Sequence, residues 1–516
     1  MQKSTKVVII SVPHCEPYPM VAPVLLSACL NNAGISAKGI DFSISFLEHF
    51  ASKPYYIEFK NFITNGGLGE YYLSLTVFKD ILRFTKKFLL DIKDQYNPEY
   101  IGLSIFSMDS LDFGLILCYC IRKYCPGVKI IAGGKGLEIP HRHGQYQYQI
   151  WDQNGIADVI VVGDSEVELI NSIKYNKKGI VFAEQLEKQD LDNIPVPSWN
   201  EYDLEVYGKL GMYADAIDAT ASIETEPYMA ITASKGCVRQ CTFCDVIKFQ
   251  PKYIYRDPSK VANEIIYNYR HTGIKRFQFT DNLINGSITN YRKMNQLLVA
   301  AIPREITYAG YAIFRGKHQM PEKDFKLAAE AGCSRWVIGV ESGSEKVRHD
   351  MKKKFTNADI DWSANMLYTH GIKQIWLLMV GYPSETDQDY QETKSLLKKY
   401  AYMANNRQLV IGVTPTFMLT TNSPLLSDPL LADSHGVAHN LQDRDTLSKF
   451  WTSTKNLDNT YPVRSQRYKE LLDLIDTLGY QFSPGHTIAK SLEEIKNLDR
   501  MYNEQTNKFI PIYSTK

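Results

Sequence analysis

The sequence predicts an α/β protein in which a doubly wound parallel sheet precedes a partial barrel of six β/α units and a small, mostly helical C-terminal region. Three observations predict this. Strand-like and helix-like segments alternate over residues 1–185, and the alternation restarts after Tyr228. Between these two parts, Pro195 and Pro197 lie in a segment that continues neither helix nor central strand. We therefore predict a first domain at 1–185, a linker at 186–225, a barrel at 226–420 and a C-terminal region at 421–516.

Length, composition and charge exclude several classes of protein. At 516 residues the chain is too long for one core, since single cores stop growing at roughly 250 to 300 residues. Hydrophobic residues make up 44% and charged residues 22% of the chain, which is typical of a soluble globular protein. The net charge of +1 argues against a broad surface for nucleic acid or for an anionic membrane. We interpret the basic run at 352–354 as a solvated helix end.

No segment has the pattern of a membrane span or a targeting sequence. The longest apolar stretches, such as 159–163, are far shorter than the roughly 20 residues that cross a bilayer. The N-terminal residues lack the charged, apolar and small-residue zones of a signal peptide. We expect a cytoplasmic protein with no membrane partner.

In the first domain, each predicted strand leads into a helix. Predicted strands lie at 6–11, 101–106, 129–132 and 158–162, and predicted helices lie at 20–33, 111–124 and 166–174. Gly133, Gly134 and Gly163 follow two of these strands. Doubly wound sheets bind ligands at the carboxyl ends of their strands, so a ligand is expected beside these glycines.

The second half repeats the pattern with a regular period. The six predicted strands lie at 229–232, 276–280, 306–310, 336–340, 375–380 and 409–413, with helices between them. This arrangement is typical of an open relative of the eight-stranded barrel, whose active site lies at the carboxyl ends of the strands.

Three cysteines in the loop after the first barrel strand carry the strongest chemical signal. Cys237, Cys241 and Cys244 are separated by three and then by two residues. Each thiolate can bind one iron of a cubane cluster, which leaves one iron without a protein ligand. A substrate or cofactor can bind that iron directly. The six other cysteines are scattered, and we interpret them as buried free thiols.

Two other metal sites are weighed against this one. A structural zinc site needs four ligands and typically two CxxC pairs; Asp245 or a distant histidine would have to complete it. A four-cysteine ferredoxin normally has its fourth cysteine close by. No second pair accompanies the loop, so both readings are less well supported than the three-cysteine cluster.

The spacing of Cys237, Cys241 and Cys244 at the end of a first barrel strand resembles the radical S-adenosylmethionine superfamily. The resemblance implies that these residues bind a 4Fe-4S cluster and that S-adenosylmethionine occupies the open iron. Reduction would then cleave the cofactor to a 5′-deoxyadenosyl radical. An electron donor of the flavodoxin or ferredoxin type is implied as a partner.

Further segments at strand ends resemble the cofactor contacts of that family. Asp281 and Asn282 follow the second strand and Arg315 the third, while 339–345 resembles the glycine-rich fourth-strand motif and 380–386 the fifth-strand turn. The residues that the resemblance assigns to S-adenosylmethionine are Phe243, Asp281, Asn282, Arg315, Glu341, Ser342, Gly381, Tyr382 and Pro383.

The first domain resembles the cobalamin-binding domain that precedes the barrel in many of these enzymes. The resemblance assigns cobalamin contacts to Ser104, Gly133, Gly134, Gly163 and Glu166. The Asp-x-His-x-x-Gly motif, which supplies a lower histidine ligand in other cobalamin proteins, is absent from the sequence. Backbone glycines would therefore have to hold the corrin and its tail.

These features predict methyl transfer to an unactivated carbon of a small-molecule or peptide substrate, or to a phosphinate-type centre. A radical cyclisation, rearrangement or oxidation without methyl transfer is the second hypothesis, and an iron-sulfur scaffold without turnover is the third.

A tRNA methylthiotransferase shares the domain order. Those enzymes carry further cluster cysteines in the first domain and usually a basic RNA-binding tail. Here Cys118, Cys120 and Cys125 lie on or beside one predicted helix, the tail is not strongly basic, and nucleic acid is not expected as a partner.

Overall fold

A computed structural model describes residues 5–13, 20–51, 53–55, 74–107, 110–139, 145–210, 228–405, 407–414, 416–420, 422–437 and 450–482. Much of the predicted linker and the end of the predicted C-terminal region lie outside these residues. The chain divides into two compact units. The first comprises 1–214, 223–231 and 254–278, and the second comprises 215–222, 232–253 and 279–516. No helix in the described ranges is long and apolar enough to cross a membrane.

The first sheet is parallel throughout and has the strand order β2-β1-β3-β4-β5-β6. This order reverses between β1 and β3, which is the point where doubly wound folds bind ligands at the carboxyl ends of the strands. Its strands are β1 Val7–Ser11, β2 Ala37–Ile40, β3 Tyr100–Ser104, β4 Lys129–Gly133, β5 Val159–Val162 and β6 Gly179–Phe182.

Both faces of this sheet are buried. Val8 and Ile10 of β1 pack with Phe42 and other side chains in one core, whereas Val7 and Ile9 pack into a second core on the opposite face. Successive side chains of a strand point to opposite faces, so a run of apolar residues requires helices on both sides. The helices of this part are α1 Val21–Asn32, α2 Phe42–Ala51, α3 Leu75–Tyr96, α4 Leu111–Tyr124, α5 Gln147–Gln153, α6 Ser165–Lys174, α7 Lys188–Asn193 and α8 Leu204–Leu210.

The second sheet has the order β15-β14-β13-β12-β11-β10-β7, so its strands follow one another along the sheet. The pairings from β11 to β15 are parallel. Its strands are β7 Tyr228–Ile231, β10 Arg276–Phe279, β11 Thr307–Ala312, β12 Cys333–Glu341, β13 Lys373–Met379, β14 Leu409–Thr414 and β15 Gln481–Phe482. Two short strands, β8 Ser234–Lys235 and β9 Ile254–Tyr255, lie outside it.

Helices separate these strands and begin and end at residues suited to those positions. In the first of the longer ones, Asp257 caps the first turn, Pro258 occupies the first helical position and Gly273 ends the helix at φ +74°. The helices are α9 Val246–Phe249, α10 Pro258–Thr272, α11 Ile288–Ala301, α12 Glu322–Glu330, α13 Glu345–Asp350, α14 Asn357–Thr369, α15 Asp387–Tyr400, α16 Pro424–Ser427, α17 Pro429–His435 and α18 Tyr461–Thr477.

The fold confirms the predicted α/β class, the doubly wound first sheet and the six β/α units. The sequence analysis missed the seventh strand, β15, because its two residues are too few to produce a period. Tyr308 of β11 faces the helix layer and not the mouth of the barrel. The Tyr308 hydroxyl donates to Oδ1 of Asn295 over 2.6 Å and lies 2.9 Å from the Tyr291 hydroxyl, both on α11, so the side chain points outward to the helix layer.

Candidate active site

The cysteine loop follows β7 and bends sharply at Gly236, which has φ +77°. A Cβ at this position would lie 2.2 Å from the carbonyl oxygen of Lys252, so only glycine fits. The Gly236 amide donates to Oε1 of Gln250 over 3.0 Å, and the side chain of Asn282 donates to the same oxygen over 2.9 Å. Gln250 therefore connects the cysteine loop to the end of β10.

The three cysteines differ in their exposure. Cys241 is buried, whereas Cys237 and Cys244 are half-buried. Burial raises the pKa of the Cys241 thiol, and it raises the pKa of Cys244 to about 12; the nearby Lys353 ammonium opposes both effects. Iron takes cysteine as thiolate, so cluster binding would release these protons.

The donor set fits a cubane cluster. Three thiols on one short loop can each reach a different iron. In the part of the chain that the structure describes, no three histidine, cysteine or carboxylate side chains converge on a point where a single ion would bind.

Asp281 at the end of β10 holds the start of the cysteine loop. One carboxylate oxygen accepts from the Ala233 amide over 2.9 Å, and the other accepts from the Ser234 hydroxyl over 2.5 Å. The side chain is almost completely buried. Asn282 is exposed beside it. Cofactor contacts of Asp281 and Asn282 stay predictions, because the bonds observed here are to the protein.

Arg315, after β11, is a buried cation next to a second arginine. It donates to the carbonyls of Asn285 and Gly286 over 2.8 and 2.9 Å. Its Nε is buried with no hydrogen-bond partner among the described residues, and the same is true of the Nε of Arg239 in the cysteine loop. Burial and the charge of Arg239 lower the pKa of Arg315 to about 10. Two mutually repelling guanidinium groups beside Cys237 would be stabilised by an anionic ligand.

Glu341 ends β12 in a left-handed conformation with φ +66°, directly after an irregularity in the pairing with β13. Its carboxylate forms a buried ion pair with Lys353, with 2.7 Å between Oε1 and Nζ. Lys353 also donates to the Gly339 carbonyl over 2.8 Å and lies 5.6 Å from the centre of the Phe243 ring. Burial lowers the pKa of Lys353, but the Glu341 carboxylate and the neighbouring cysteines outweigh this and raise it.

This position corrects the interpretation of the basic run as solvated. Lys352 and Lys354 are exposed, but Lys353 between them is buried. Both neighbours adopt left-handed backbone conformations, with φ of +59° and +57°. The resulting turn directs the middle side chain inward. The sequence gives no indication that the middle one of three identical lysines is buried.

Ser342 is fully buried and contacts protein groups. Its hydroxyl accepts from the Ser344 amide over 3.1 Å, and its carbonyl accepts from Arg348 over 2.7 Å. The Gly343 amide donates to Thr393 of α15, and Ser344 donates to Asp389 of the same helix. These bonds hold the turn after β12, and a cofactor contact of Ser342 stays a prediction.

The turn after β13 contains Gly381, Tyr382 and Pro383. Gly381 has φ +89°, and a Cβ there would lie 2.0 Å from Cδ of Arg464. Its amide donates to Glu385, a buried carboxylate that also pairs with Arg467 over 3.1 Å. Burial raises the pKa of Glu385 to about 7. The sequence analysis singled out neither Glu385 nor the arginine that neutralises it as a functional residue.

Tyr382 connects this turn to the cysteine loop. Its hydroxyl lies 2.7 Å from the hydroxyl of Thr242 and 3.0 Å from Nε2 of His435. Its ring is completely buried and packs against Phe417 at 5.4 Å. The predicted contact between Tyr382 and S-adenosylmethionine stays a prediction, because the hydroxyl is bonded to protein groups.

The C-terminal region packs on the cysteine loop. The Leu425 amide donates to the Thr242 carbonyl over 2.7 Å, and the Thr420 hydroxyl donates to the Phe243 carbonyl over 3.4 Å. Phe243 lies against a cluster that includes Phe417 and Trp451. The segment after β14 therefore fixes the backbone beside the third cysteine.

In the first unit, small residues line the carboxyl edge of the sheet. Ser11, Ser104, Gly133 and Val161 are in register across β1, β3, β4 and β5. Because all four have side chains of at most three heavy atoms, the edge leaves space for a ligand. This row includes two of the predicted cobalamin contacts, Ser104 and Gly133.

The other predicted cobalamin contacts lie in the loops at the same edge. Gly134 has φ +116°, and a Cβ there would lie 2.3 Å from the Ile105 carbonyl oxygen. Gly163 has φ +99° and donates its amide to Glu138 over 3.2 Å. Glu166 is buried in the first turn of α6. These positions fit a ligand cradle, and their contacts stay predictions.

A buried carboxyl lies at this edge as well. Asp41, after β2, accepts from the Ser11 hydroxyl over 2.5 Å and from the Tyr207 hydroxyl over 2.6 Å. Burial raises its pKa, although these hydrogen bonds oppose the rise. The network joins β1 and β2 to α8. We did not predict Tyr207 as part of it, since no motif marks that residue.

Residues 231–397 match the radical SAM superfamily. The chain is 28% identical over 257 residues to a putative methylthiotransferase of Methanocaldococcus jannaschii, covering 47% of this chain and 53% of the relative. It is 24% identical over 305 residues to the anaerobic magnesium-protoporphyrin IX monomethyl ester cyclase of Synechocystis, covering 57% and 58%. The chain thus spans about half the length of these relatives. Ribosomal protein uS12 methylthiotransferase of Bacteroides fragilis also matches, at 23% identity over 47% of this chain and 61% of the relative.

Two solved structures share the fold over almost the whole chain. The methyltransferase TsrM of Kitasatospora setae, with tryptophan and an S-adenosylmethionine analogue bound, has a TM-score of 0.59 at 14% identity and covers 98% of this chain and 100% of its own. OxsB, with aqua-cobalamin and S-adenosylmethionine bound, has a TM-score of 0.53 at 14% identity and covers 98% and 62%. At these identities the likeness shows the fold.

Proposed function

We propose that this chain, a radical SAM enzyme, is a cobalamin-dependent methyltransferase that acts on an unactivated carbon of a small molecule or peptide. One combination supports the proposal. The loop with Cys237, Cys241 and Cys244 follows the first strand of a barrel-like sheet, and a separate doubly wound sheet carries Ser104 and Gly133 at its carboxyl edge. TsrM and OxsB, which share both sheets, are described as binding cobalamin.

The cysteine loop would hold the cluster. When bound, the 4Fe-4S cluster and S-adenosylmethionine supply the 5′-deoxyadenosyl radical that removes a hydrogen from the substrate. Gly236 and Asp281 fix the start of the loop, and the C-terminal region fixes the backbone of Thr242 and Phe243. An electron donor of the flavodoxin or ferredoxin type would supply the reducing electron.

Arg239 and Arg315 would bind the carboxylate of S-adenosylmethionine. Both lie beside Cys237, both have a buried Nε, and the groups that act on the pKa of Arg315 include no carboxylate. An incoming carboxylate would offset their mutual repulsion and accept charge-assisted hydrogen bonds. This arrangement would put the negative group of the cofactor on the cysteine side of the barrel.

The first sheet would hold cobalamin by its carboxyl edge. When bound, cobalamin carries the methyl group that is transferred. The small residues in register at Ser104 and Gly133 would leave room for the nucleotide tail. Because the sequence lacks the Asp-x-His-x-x-Gly motif, the lower face would have no histidine from such a motif.

The methylthiotransferase alternative is supported by the names of several relatives, but no feature among the described residues of the first unit supports it. Cys118 and Cys120 of α4 and Cys125 after it belong to the hydrophobic core of the first sheet. Burial raises the pKa of Cys118 to about 12 and of Cys120 to about 11. Inert, core-facing thiols on a helix are unlike ligands of a second cluster.

An anaerobic reconstitution tests the proposal. The protein would be loaded with iron, sulfide and hydroxocobalamin, desalted, and incubated with S-adenosylmethionine, dithionite and candidate substrates. Stoichiometric corrin absorption, with both S-adenosylhomocysteine and 5′-deoxyadenosine formed, is the expected result. A Ser104→Leu variant should retain its cluster and lose corrin. If wild-type protein forms 5′-deoxyadenosine but retains no corrin, methyl transfer is wrong and radical chemistry of another type replaces it.

A further inference from the structure

Lys353 is a buried cation that lies between a carboxylate and the cysteine loop. Its ammonium is 2.7 Å from the Glu341 carboxylate, and each of the two side chains is only about one-tenth exposed. The same ammonium lies 5.6 Å from the centre of the Phe243 ring, and Phe243 directly precedes Cys244. Cys241 and Cys244 lie close enough to Lys353 to raise its pKa.

Gly339 makes space for this ion pair. A Cβ at Gly339 would lie 2.3 Å from Oε1 of Glu341 and 2.7 Å from Nζ of Lys353. The two charged groups therefore lie on the bare backbone of β12, and Lys353 is also bonded to the carbonyl of Gly339. Left-handed conformations at Lys352 and Lys354 turn the chain so that the middle lysine reaches this place.

Gly339 also shows which way the pair points. Val337 of β12 packs with Ile375 and Val410 in a small core of its own, whereas Trp336 packs against Tyr291 and Phe325 of the helix layer. Gly339 is two residues beyond Val337, so it lies on the inner face of the sheet. The ion pair therefore lies on the inner side of the barrel.

We propose that Lys353 is a positioning residue with two effects: it orients the Glu341 carboxylate on the inner face of the barrel, and its positive charge favours the reduced state of the cluster. The proposal rests on the proposed binding of a 4Fe-4S cluster by Cys237, Cys241 and Cys244. Reduction adds one electron, and a nearby buried cation stabilises the added negative charge. Glu341 opposes this effect, so the pair sets the reduction potential by the balance of its two charges.

Charge variants separate this role from a structural one. The midpoint potential of the reconstituted cluster would be measured by titration with dithionite and redox mediators, followed by electron paramagnetic resonance, without S-adenosylmethionine. Lys353→Met should move the potential to more negative values, whereas Glu341→Gln should move it to more positive values. A tenfold change in the ratio of reduced to oxidised cluster corresponds to about 59 mV for one electron. We expect shifts of about that size.

The chain offers a matched control. Lys354→Met removes the same charge from an exposed side chain one residue away, in the same left-handed backbone conformation, and should leave the potential unchanged. Lys353→Arg keeps the charge and should restore most of the wild-type potential. The double variant Lys353→Met with Glu341→Gln should lie between the two single variants. Circular dichroism and iron content would confirm that each variant is folded and loaded.

The outcomes distinguish this inference from the proposed function. Failure of wild-type protein to bind a 4Fe-4S cluster would overturn both. A loaded wild type, with Lys353→Met and Glu341→Gln shifting the potential in the same direction or not at all, would overturn the role of Lys353 alone. If Lys353→Met cannot be loaded, Lys353→Gln takes its place under the same criterion, because it removes the same charge and keeps a hydrogen-bond donor for the Gly339 carbonyl.

Discussion

Gly236→Ala should weaken cluster binding through strain in the cysteine loop. The residue has φ +77°, a conformation that costs an L-residue about 1–2 kcal/mol. The new Cβ would lie 2.2 Å from the Lys252 carbonyl oxygen, whereas real Cβ contacts are almost never below 3.0 Å. The two backbone segments must therefore separate by at least 3.0 − 2.2 = 0.8 Å. This shift breaks the bond from Gly236 to Gln250, worth about 0.5–1.5 kcal/mol.

Gly371→Ala is the matched control. Gly371 has φ +71°, and a Cβ there would meet nothing within 4 Å. It therefore carries the same dihedral cost of about 1–2 kcal/mol without the steric one. The dihedral cost and the lost hydrogen bond together give a total of about 1.5–3.5 kcal/mol for Gly236→Ala. Each 1.4 kcal/mol of strain in the cluster-bound loop lowers the affinity of the protein for the cluster by about tenfold.

The assay is iron and sulfide per chain after anaerobic reconstitution and desalting, with thermal unfolding recorded in parallel. Gly236→Ala should lose most of its cluster, whereas Gly371→Ala should retain a wild-type amount despite its own lower thermal stability. Equal cluster content in the two variants would refute the reasoning that Lys252 confines the loop at Gly236.

Three further predictions concern the surroundings of the loop. Tyr382→Phe removes the hydroxyl that bonds to Thr242 and His435 and should lower the unfolding free energy by about 1–2 kcal/mol; an unchanged thermal midpoint would contradict it. The pKa of Glu385 is raised from 4.5 to about 7 by burial, so the folded state binds a proton first and stability should fall as pH rises across that interval. Glu385→Gln should remove this pH dependence of stability. Thermal melts of wild type and variant at pH 5 and pH 8, about the ends of the interval, test this, and a variant that keeps the wild-type dependence would contradict it. Arg315→Met should weaken S-adenosylmethionine binding by about tenfold or more, because a charge-assisted hydrogen bond of about 1.5–3 kcal/mol is lost. Equilibrium dialysis of cluster-loaded protein measures this. An unchanged Kd would rule out a role of Arg315 in binding the carboxylate.

Much of the fold could be predicted because it depends on local patterns. Apolar runs such as Val159–Val162 and the helices between them have clear periods, and parallel strands in sequence order follow from short connections. The two-residue strand β15 could not be predicted, since its place depends on pairing with β14 at Val410 and Ile411. Periodicity does not reveal a long-range partner of this kind.

The candidate site could be predicted less completely. The cysteine spacing needs only local sequence, so the loop was found from three residues. Lys353 could not be distinguished from its two neighbours, because the left-handed turn that buries it is a tertiary feature. Gln250 contacts Gly236, 14 positions away, and Tyr207 contacts Asp41, 166 positions away. No sequence motif indicates either contact.

Formation of 5′-deoxyadenosine tests the central claim most directly. Reconstituted protein would be incubated anaerobically with S-adenosylmethionine and dithionite, without substrate, and the product measured by liquid chromatography with mass spectrometry. Wild-type protein should form 5′-deoxyadenosine, and Cys237→Ser, Cys241→Ser and Cys244→Ser should each abolish it, whereas Cys333→Ser, at a buried cysteine far from the loop in sequence, should not. Production that survives Cys241→Ser, or its absence from loaded wild-type protein, would contradict radical chemistry at this loop.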